Sequence, residues 1–205
     1  MYLYDVKIDL EAAMTIFLIL VPFGSFALLM LVTSAQISLF AAAAICLAVI
    51  GIDIALGRSV KMLGAGSVIV FSGIGAYVTL IDPNLSTSAV KIAADVGVLA
   101  ISLGSLAIRK PFVLQYALEA VDAETARLPG FLKATYIITW AWTGAFVLMI
   151  IGNALTIYLP GLPLWSGLVI AFAARNSAAY FTTWYPQYRK AKYGPPPANA
   201  LPGTN

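Results

Sequence analysis

Long apolar stretches, separated by short polar turns, run through almost the whole chain. Crossing about 30 Å of hydrocarbon takes roughly 20 helical residues, and about six stretches of that length fall at 13–33, 36–56, 62–81, 88–108, 134–157 and 163–184. None of them alternates polar and apolar positions as a barrel strand does, so the pattern predicts helices. Turn signals divide them at Ser34-Ala35, at Asp82-Pro83-Asn84 and at Pro160-Gly161. One connection is long enough for structure of its own. Over 111–128 it places Leu114, Leu118 and Val121 on one helical face and Gln115, Glu119, Asp122 and Glu124 elsewhere. That spacing predicts an amphipathic helix lying at a membrane interface, ended by Pro129 and Gly130. The expected fold class is all-α membrane: a single polytopic bundle over 1–193, with about six transmembrane helices and one interfacial helix. Residues 194–205, rich in proline and small side chains, read as a disordered tail.

Composition strengthens this picture. With 61% hydrophobic and 10% charged residues and a mean hydropathy of +0.91, the chain could not keep a soluble surface wet. The net charge of +3 does not point to nucleic acid, because the basic residues form no face. Ten of the twelve gather on one side of the span pattern: Lys7, Arg58, Lys61, Arg109, Lys110, Arg127, Lys133, Arg189, Lys190 and Lys192. Short loops enriched in Lys and Arg stay in the cytoplasm, which places both termini and the interfacial helix there. The first span competes with a cleaved signal peptide ending near Thr33-Ser34-Ala35. Asp5, Asp9 and Glu11 precede it instead of a basic segment, and its apolar core exceeds the roughly 7 to 15 residues of a signal, so retention is expected.

Ionisable residues inside spans mark sites, since each costs about 2.5 to 3.5 kcal/mol at a helix centre on insertion scales and needs a partner or water. Asp53, Lys91, Asp95 and Arg175 are such residues, with Asn153 and Asn176 as further polar handles. Lys91 and Asp95 stand one turn apart and are placed to pair along their helix, in a polar stripe with Ser88 and Ser102. By helical rise Arg175 lies about 18 Å from the outer membrane face, Asp95 about 10 Å and Asp53 about 25 Å, so the arginine reaches either carboxylate. These residues fit an ion pair holding helices in register, and equally a proton or solute pathway. In the third span Gly64, Gly66, Gly73 and Gly75 with Ser67 and Ser72 favour close helix packing and make self-association an expectation.

No catalytic set emerges. The chain contains no histidine, and its lone Cys46 sits in an apolar run, so neither a metal site nor a cofactor is expected. Hydrolytic triads, HExxH and phosphate loops are missing. The cytoplasmic loop candidates are Arg109, Lys110, Gln115 and Glu119; an interfacial lipid-modifying enzyme would be built on Arg109, Lys110 and Glu119.

The order of certain residues carries a resemblance: Arg58-Ser-Val-Lys61-Met62 entering a glycine-rich span, Val90-Lys91 opening the next, Arg109-Lys110-Pro111, and Trp142 followed by Asn153. From Gly51 to the end of the last span the chain resembles the bacterial intracellular septation protein A family of inner-membrane proteins. Lys61, Lys91, Lys110, Pro111, Trp142 and Asn153 are the matching positions; Asp95, Arg175 and the run 110–117 are not assigned by it. The resemblance implies a non-enzymatic role in cell-envelope maintenance or septum formation, exerted through other inner-membrane proteins. The competing class is a small-solute or proton-coupled transporter using Asp95 and Arg175.

Overall fold

The computed structural model describes residues 21–159, 161–163 and 165–193, and among them every regular element is a helix. The tail 194–205, Lys7 and the beginning of the first predicted span lie outside the described residues. The helices are α1 (Val21–Val32), α2 (Ala35–Ala55), α3 (Met62–Leu80), α4 (Thr87–Ala107), α5 (Phe112–Ala120), α6 (Ala123–Ala126), α7 (Pro129–Tyr158) and α8 (Trp165–Tyr193). Four of them, α2, α3, α4 and α7 from Gly130, are long and apolar enough to cross a membrane. The described part of α1 is shorter, and α8 is long but diluted by Arg175, Asn176, Ser177, Thr182, Thr183 and Gln187. Large apolar side chains face outward, among them Ile69 (74% exposed), Leu80 (80%) and Phe172 (71%). In water that surface would be untenable; it is compatible with a chain embedded in lipid.

Local signals set the helix ends. Ser34 and Ser86 cap α2 and α4 by accepting hydrogen bonds from Ile37 N and Ala89 N. Both helices close with the same left-handed turn. Arg58 N donates to Asp53 O and Gly57 N to Ile54 O after α2; Lys110 N donates to Ser105 O and Arg109 N to Leu106 O after α4. The left-handed residue is Gly57 (φ 70°) in the first turn and Arg109 (φ 58°) in the second.

The helix predicted over 111–128 is two helices. Asp122 accepts a hydrogen bond from Thr125 N at 2.7 Å and so caps a new start, which breaks the run after Ala120. Pro129 does not end a helix here; it opens α7, where its fixed φ and missing N–H do no harm. The buried face of α5 is also different from the expected one. Phe112 and Val113 pack into the bundle with Tyr116 beside them, whereas Leu118 is 49% exposed. At an interface Leu118 turned toward lipid is as well solvated as Phe112 turned toward protein, so amphipathic spacing alone does not say which face meets the bundle.

The long helices pack in chain order, α2 on α3, α3 on α4, α4 on α7 and α7 on α8. α1 lies against α3, with the Phe23 and Phe26 rings 5.8 and 5.2 Å from that of Phe71. α5 seals one end by resting on α3, α4 and α7. Hydrocarbon gives no hydrophobic drive between helices, so close fit and polar contacts must hold them. The fit of α3 on α4 is reciprocal: Gly66 on α3 receives Ile101 of α4, and Gly97 on α4 receives Val70 of α3. A Cβ on Gly66 would stand 2.6 Å from Ile101 Cδ1, and one on Gly97 would overlap Val70. Hydroxyls add cross-links. Thr143 spends its proton on Thr139 O, so Ser102 donates to Thr143 at 2.7 Å to tie α4 to α7. Trp142 Nε1 donates to Thr182 Oγ1 at 2.9 Å and ties α7 to α8.

Gly97→Leu is expected to cost about 1–3 kcal/mol by overpacking the α3–α4 seam. Gly73→Ala, with nothing within 4 Å of the new Cβ, should be neutral or stabilising by up to about 1 kcal/mol. Unfolding of the detergent-solubilised variants checks both.

Candidate functional site

Two polar clusters form, and they take up the candidate residues other than Arg109 and Lys110. The first lies where the α2–α3 turn meets α5. The turn after Asp53 brings the chain back through Arg58, Ser59 and Val60 to Lys61, which precedes α3 with no side-chain cap of its own. The Lys61 side chain turns inward and leaves the residue only 4% exposed. Its ammonium has three donors. Nζ donates to Glu119 Oε1 at 2.7 Å and to Ser59 O at 2.9 Å, and lies 3.6 Å from Asp53 Oδ2. The Tyr116 ring is 5.8 Å away. Arg58 stands at the rim, its Nη1 3.9 Å from Asp53 Oδ1.

α5 supplies the other half of the cluster from positions four apart, which share a helix face. Glu119 Oε1 accepts from Ser59 N at 3.2 Å and Ser59 Oγ at 3.1 Å besides Lys61. Gln115 Oε1 accepts from Met62 N at 2.6 Å, satisfying one of the N–H groups that the start of α3 leaves open. Burial acts to raise the carboxyl of Glu119, but the hydrogen bonds from Lys61 and Ser59 and the Lys61 charge outweigh it and hold the group below the ordinary glutamate value. Burial, and then the negative charges of Asp53 and Glu119, hold the Tyr116 phenol well above the ordinary tyrosine value.

The second cluster joins α4, α7 and α8. Asn153 Nδ2 donates to Asp95 Oδ2 at 2.6 Å, and the charges of Arg175 and Lys91 both act on Asp95. The carboxylate whose charge acts on Arg175 is Asp95, with no ion pair within 4 Å between them, whereas the ion-pair partners of Asp53 are Lys61 and Arg58. The pair expected between Lys91 and Asp95 is not made: among the described residues the ion pairs within 4 Å join Arg58 and Lys61 to Asp53, and Lys61 to Glu119. Lys preceding Asp by four is the weaker order for such a pair along a helix.

No family model, characterised protein or solved structure matches the chain. The arrangement itself must therefore carry the functional reading. Arg109 and Lys110 remain exposed at the end of α4, and Glu119 pairs with Lys61 instead of with them. The group an interfacial enzyme would use is thus divided. Among the described residues no three histidines, cysteines or acidic residues stand close enough to hold a metal ion. The residue that organises the first cluster, Lys61, stood out in the sequence only as one of the family-like positions. Its partner Glu119, and Gln115, which accepts from the neighbouring Met62 N, lie more than fifty residues on, a separation no local pattern spans.

Replacing Lys61 by Met leaves Asp53 and Glu119 without their shared cation and should cost about 3–5 kcal/mol, measured by unfolding in detergent. Acid should loosen the same contact. Glu119 has its folded value below the unfolded one, near 4.3, so its contribution is present above that pH and disappears as pH falls through the lowered folded value. A lower amide protection factor at Ser59, relative to the intrinsic exchange rate at each pH, on acidification and with no such pH dependence in Glu119→Gln, is the expected readout.

Proposed function

We propose that the chain is a non-enzymatic integral protein of the bacterial inner membrane. It crosses the bilayer about six times, with α1 and α8 as spans beside the four most apolar helices and with both termini and α5 in the cytoplasm. It acts in cell-envelope maintenance or septum formation by binding other membrane proteins, as its resemblance to the septation protein A family implies. The observation that carries this reading is the outer face of α8. Asn176, Ser177 and Tyr180 are exposed there, Tyr180 by 68%, at the depth of a span. Asn176 turns one N–H back onto Phe172 O at 2.7 Å, leaving the rest of its amide to the surroundings. Polar groups facing hydrocarbon without partners are costly, and a helix from another protein would satisfy them. The intramembrane carboxylates, in contrast, have partners within the chain: Lys61 and Arg58 for Asp53, and Asn153 for Asp95.

A photo-crosslinking residue at Asn176 or Tyr180 should capture an inner-membrane protein in cells, whereas one at lipid-facing Ile69 should capture lipid alone. Lipid adducts at all three positions, together with normal septa in a deletion strain, would overturn the reading.

A transporter is the second reading, favoured by one observation: Asp95 accepts a hydrogen bond from Asn153 on another helix and feels the charges of Arg175 and Lys91. Proton or solute flux into proteoliposomes that vanishes in folded Asp95→Asn and Arg175→Gln variants would establish it. Flux no greater than that of empty vesicles would dismiss it.

A further inference from the structure

Beneath α5, enclosed by α1, α2, α3 and the Lys61 cluster, is a cavity of about 40 Å³. Its lining includes Asp53, Lys61, Tyr116 and, deeper among the helices, Cys46, Gly64 and Ser67. Ser67 is the anomaly. It is fully buried, yet its Oγ has no hydrogen-bond partner among the described residues. Other buried helical hydroxyls find one: Ser38 donates to Ser34 O at 2.9 Å, Thr139 to Thr135 O at 2.8 Å and Ser105 to Ser102 O at 2.7 Å. A buried hydroxyl left unpaired costs roughly 1–3 kcal/mol, so a partner is missing from the inventory of protein groups.

We infer that the cavity is a binding site for ordered water, which links the Ser67 hydroxyl to the Asp53–Lys61–Tyr116 cluster. The size fits. A water needs at least about 10–15 Å³ of such space and two to four polar partners, so the cavity takes about two or three molecules. The polarity fits as well, because the wall offers a carboxylate, a hydroxyl, a phenol and an ammonium group. Net charge argues against an ionic occupant: Arg58 and Lys61 at the wall balance Asp53 and Glu119. Water enters from the α5 end, where the Arg58 side chain is 37% exposed. The consequence is a wet pocket reaching past the ion cluster into the apolar part of α2 and α3, with α5 as its cover.

Cys46 is the chain's one cysteine, so its S–H infrared band reports on this cavity without any substitution. The full chain in lipid nanodiscs is transferred to D2O and the loss of the S–H band is timed against exchange of the α2 backbone amides. Thiol exchange at least about tenfold faster than those amides supports the inference. Ser67→Leu fills the cavity and should slow the thiol at least about tenfold. Gly64→Ala, whose new methyl meets Ile50 at an ordinary 3.6 Å, should slow it less and keeps the test valid if the leucine variant fails to fold. A wild-type thiol exchanging no faster than the amides overturns the inference, as does a rate unchanged in Gly64→Ala and in folded Ser67→Leu. A shift of the S–H band when sodium replaces choline in the buffer would show a metal ion in the cavity and overturn it too.

Discussion

A buried ammonium group must be fully satisfied or it will not stay buried, and Lys61 is the place where this chain meets that constraint. Its three N–H bonds face Glu119, Ser59 and Asp53, which belong to α5, the α2–α3 turn and α2. One cation therefore fixes how three segments sit together. The arrangement requires the turn after α2 to be tight, which the left-handed Gly57 allows, and requires α5 to present Gln115 and Glu119 on one face. Hydrophobic spacing would have chosen a different face of α5; the ion pair and the open N–H of Met62 select this one.

Elsewhere the bundle is held by fit and by small numbers of hydroxyl and amide contacts, as expected where lipid competes equally for apolar side chains. The α3–α4 seam is a glycine receiving a branched side chain in each direction. The α4–α7 seam carries Ser102–Thr143 and Asp95–Asn153, and the α7–α8 seam carries Trp142–Thr182. Trp142 and Asn153, two of the positions on which the proposed family reading rests, are thus groups that tie α7 to its neighbours, and a third, Lys61, is the cation under α5. This gives those positions a physical role in the fold, whatever partner the assembled surface meets.

The same division organises the functional proposal. Lys61, Asp53 and Glu119 are paired within the chain's own architecture, while α8 shows amide, hydroxyl and phenol groups on its outer face. A surface of that kind suits recognition by another helix more than it suits chemistry. The cavity beneath α5 is a separate feature, lined by Ser67, whose hydroxyl has no hydrogen-bond partner among the described residues.

The helical class and several helix ends were written in the sequence, because each depends on neighbours a few residues apart. α2 and α4 start and stop within a residue of where hydropathy and turn signals put them. The break at Asp122 and the opening of α7 at Pro129 were legible as well, in a capping residue and a proline, but the longer amphipathic period masked them. That Asp53, Asp95, Asn153 and Arg175 need polar partners could be inferred from the cost of a polar group in a span. Their pairing could not. Arg175 was within reach of both carboxylates by depth, and only the packing of α8 on α7 and of α7 on α4 directs it to Asp95. Lys61 looked like one more loop charge until the fold placed Glu119, fifty-eight residues away, 2.7 Å from its ammonium. Local chemistry sets which elements form, but which charge meets which depends on helix rotation and lateral order, and these are settled by long-range contacts that no short stretch of sequence contains.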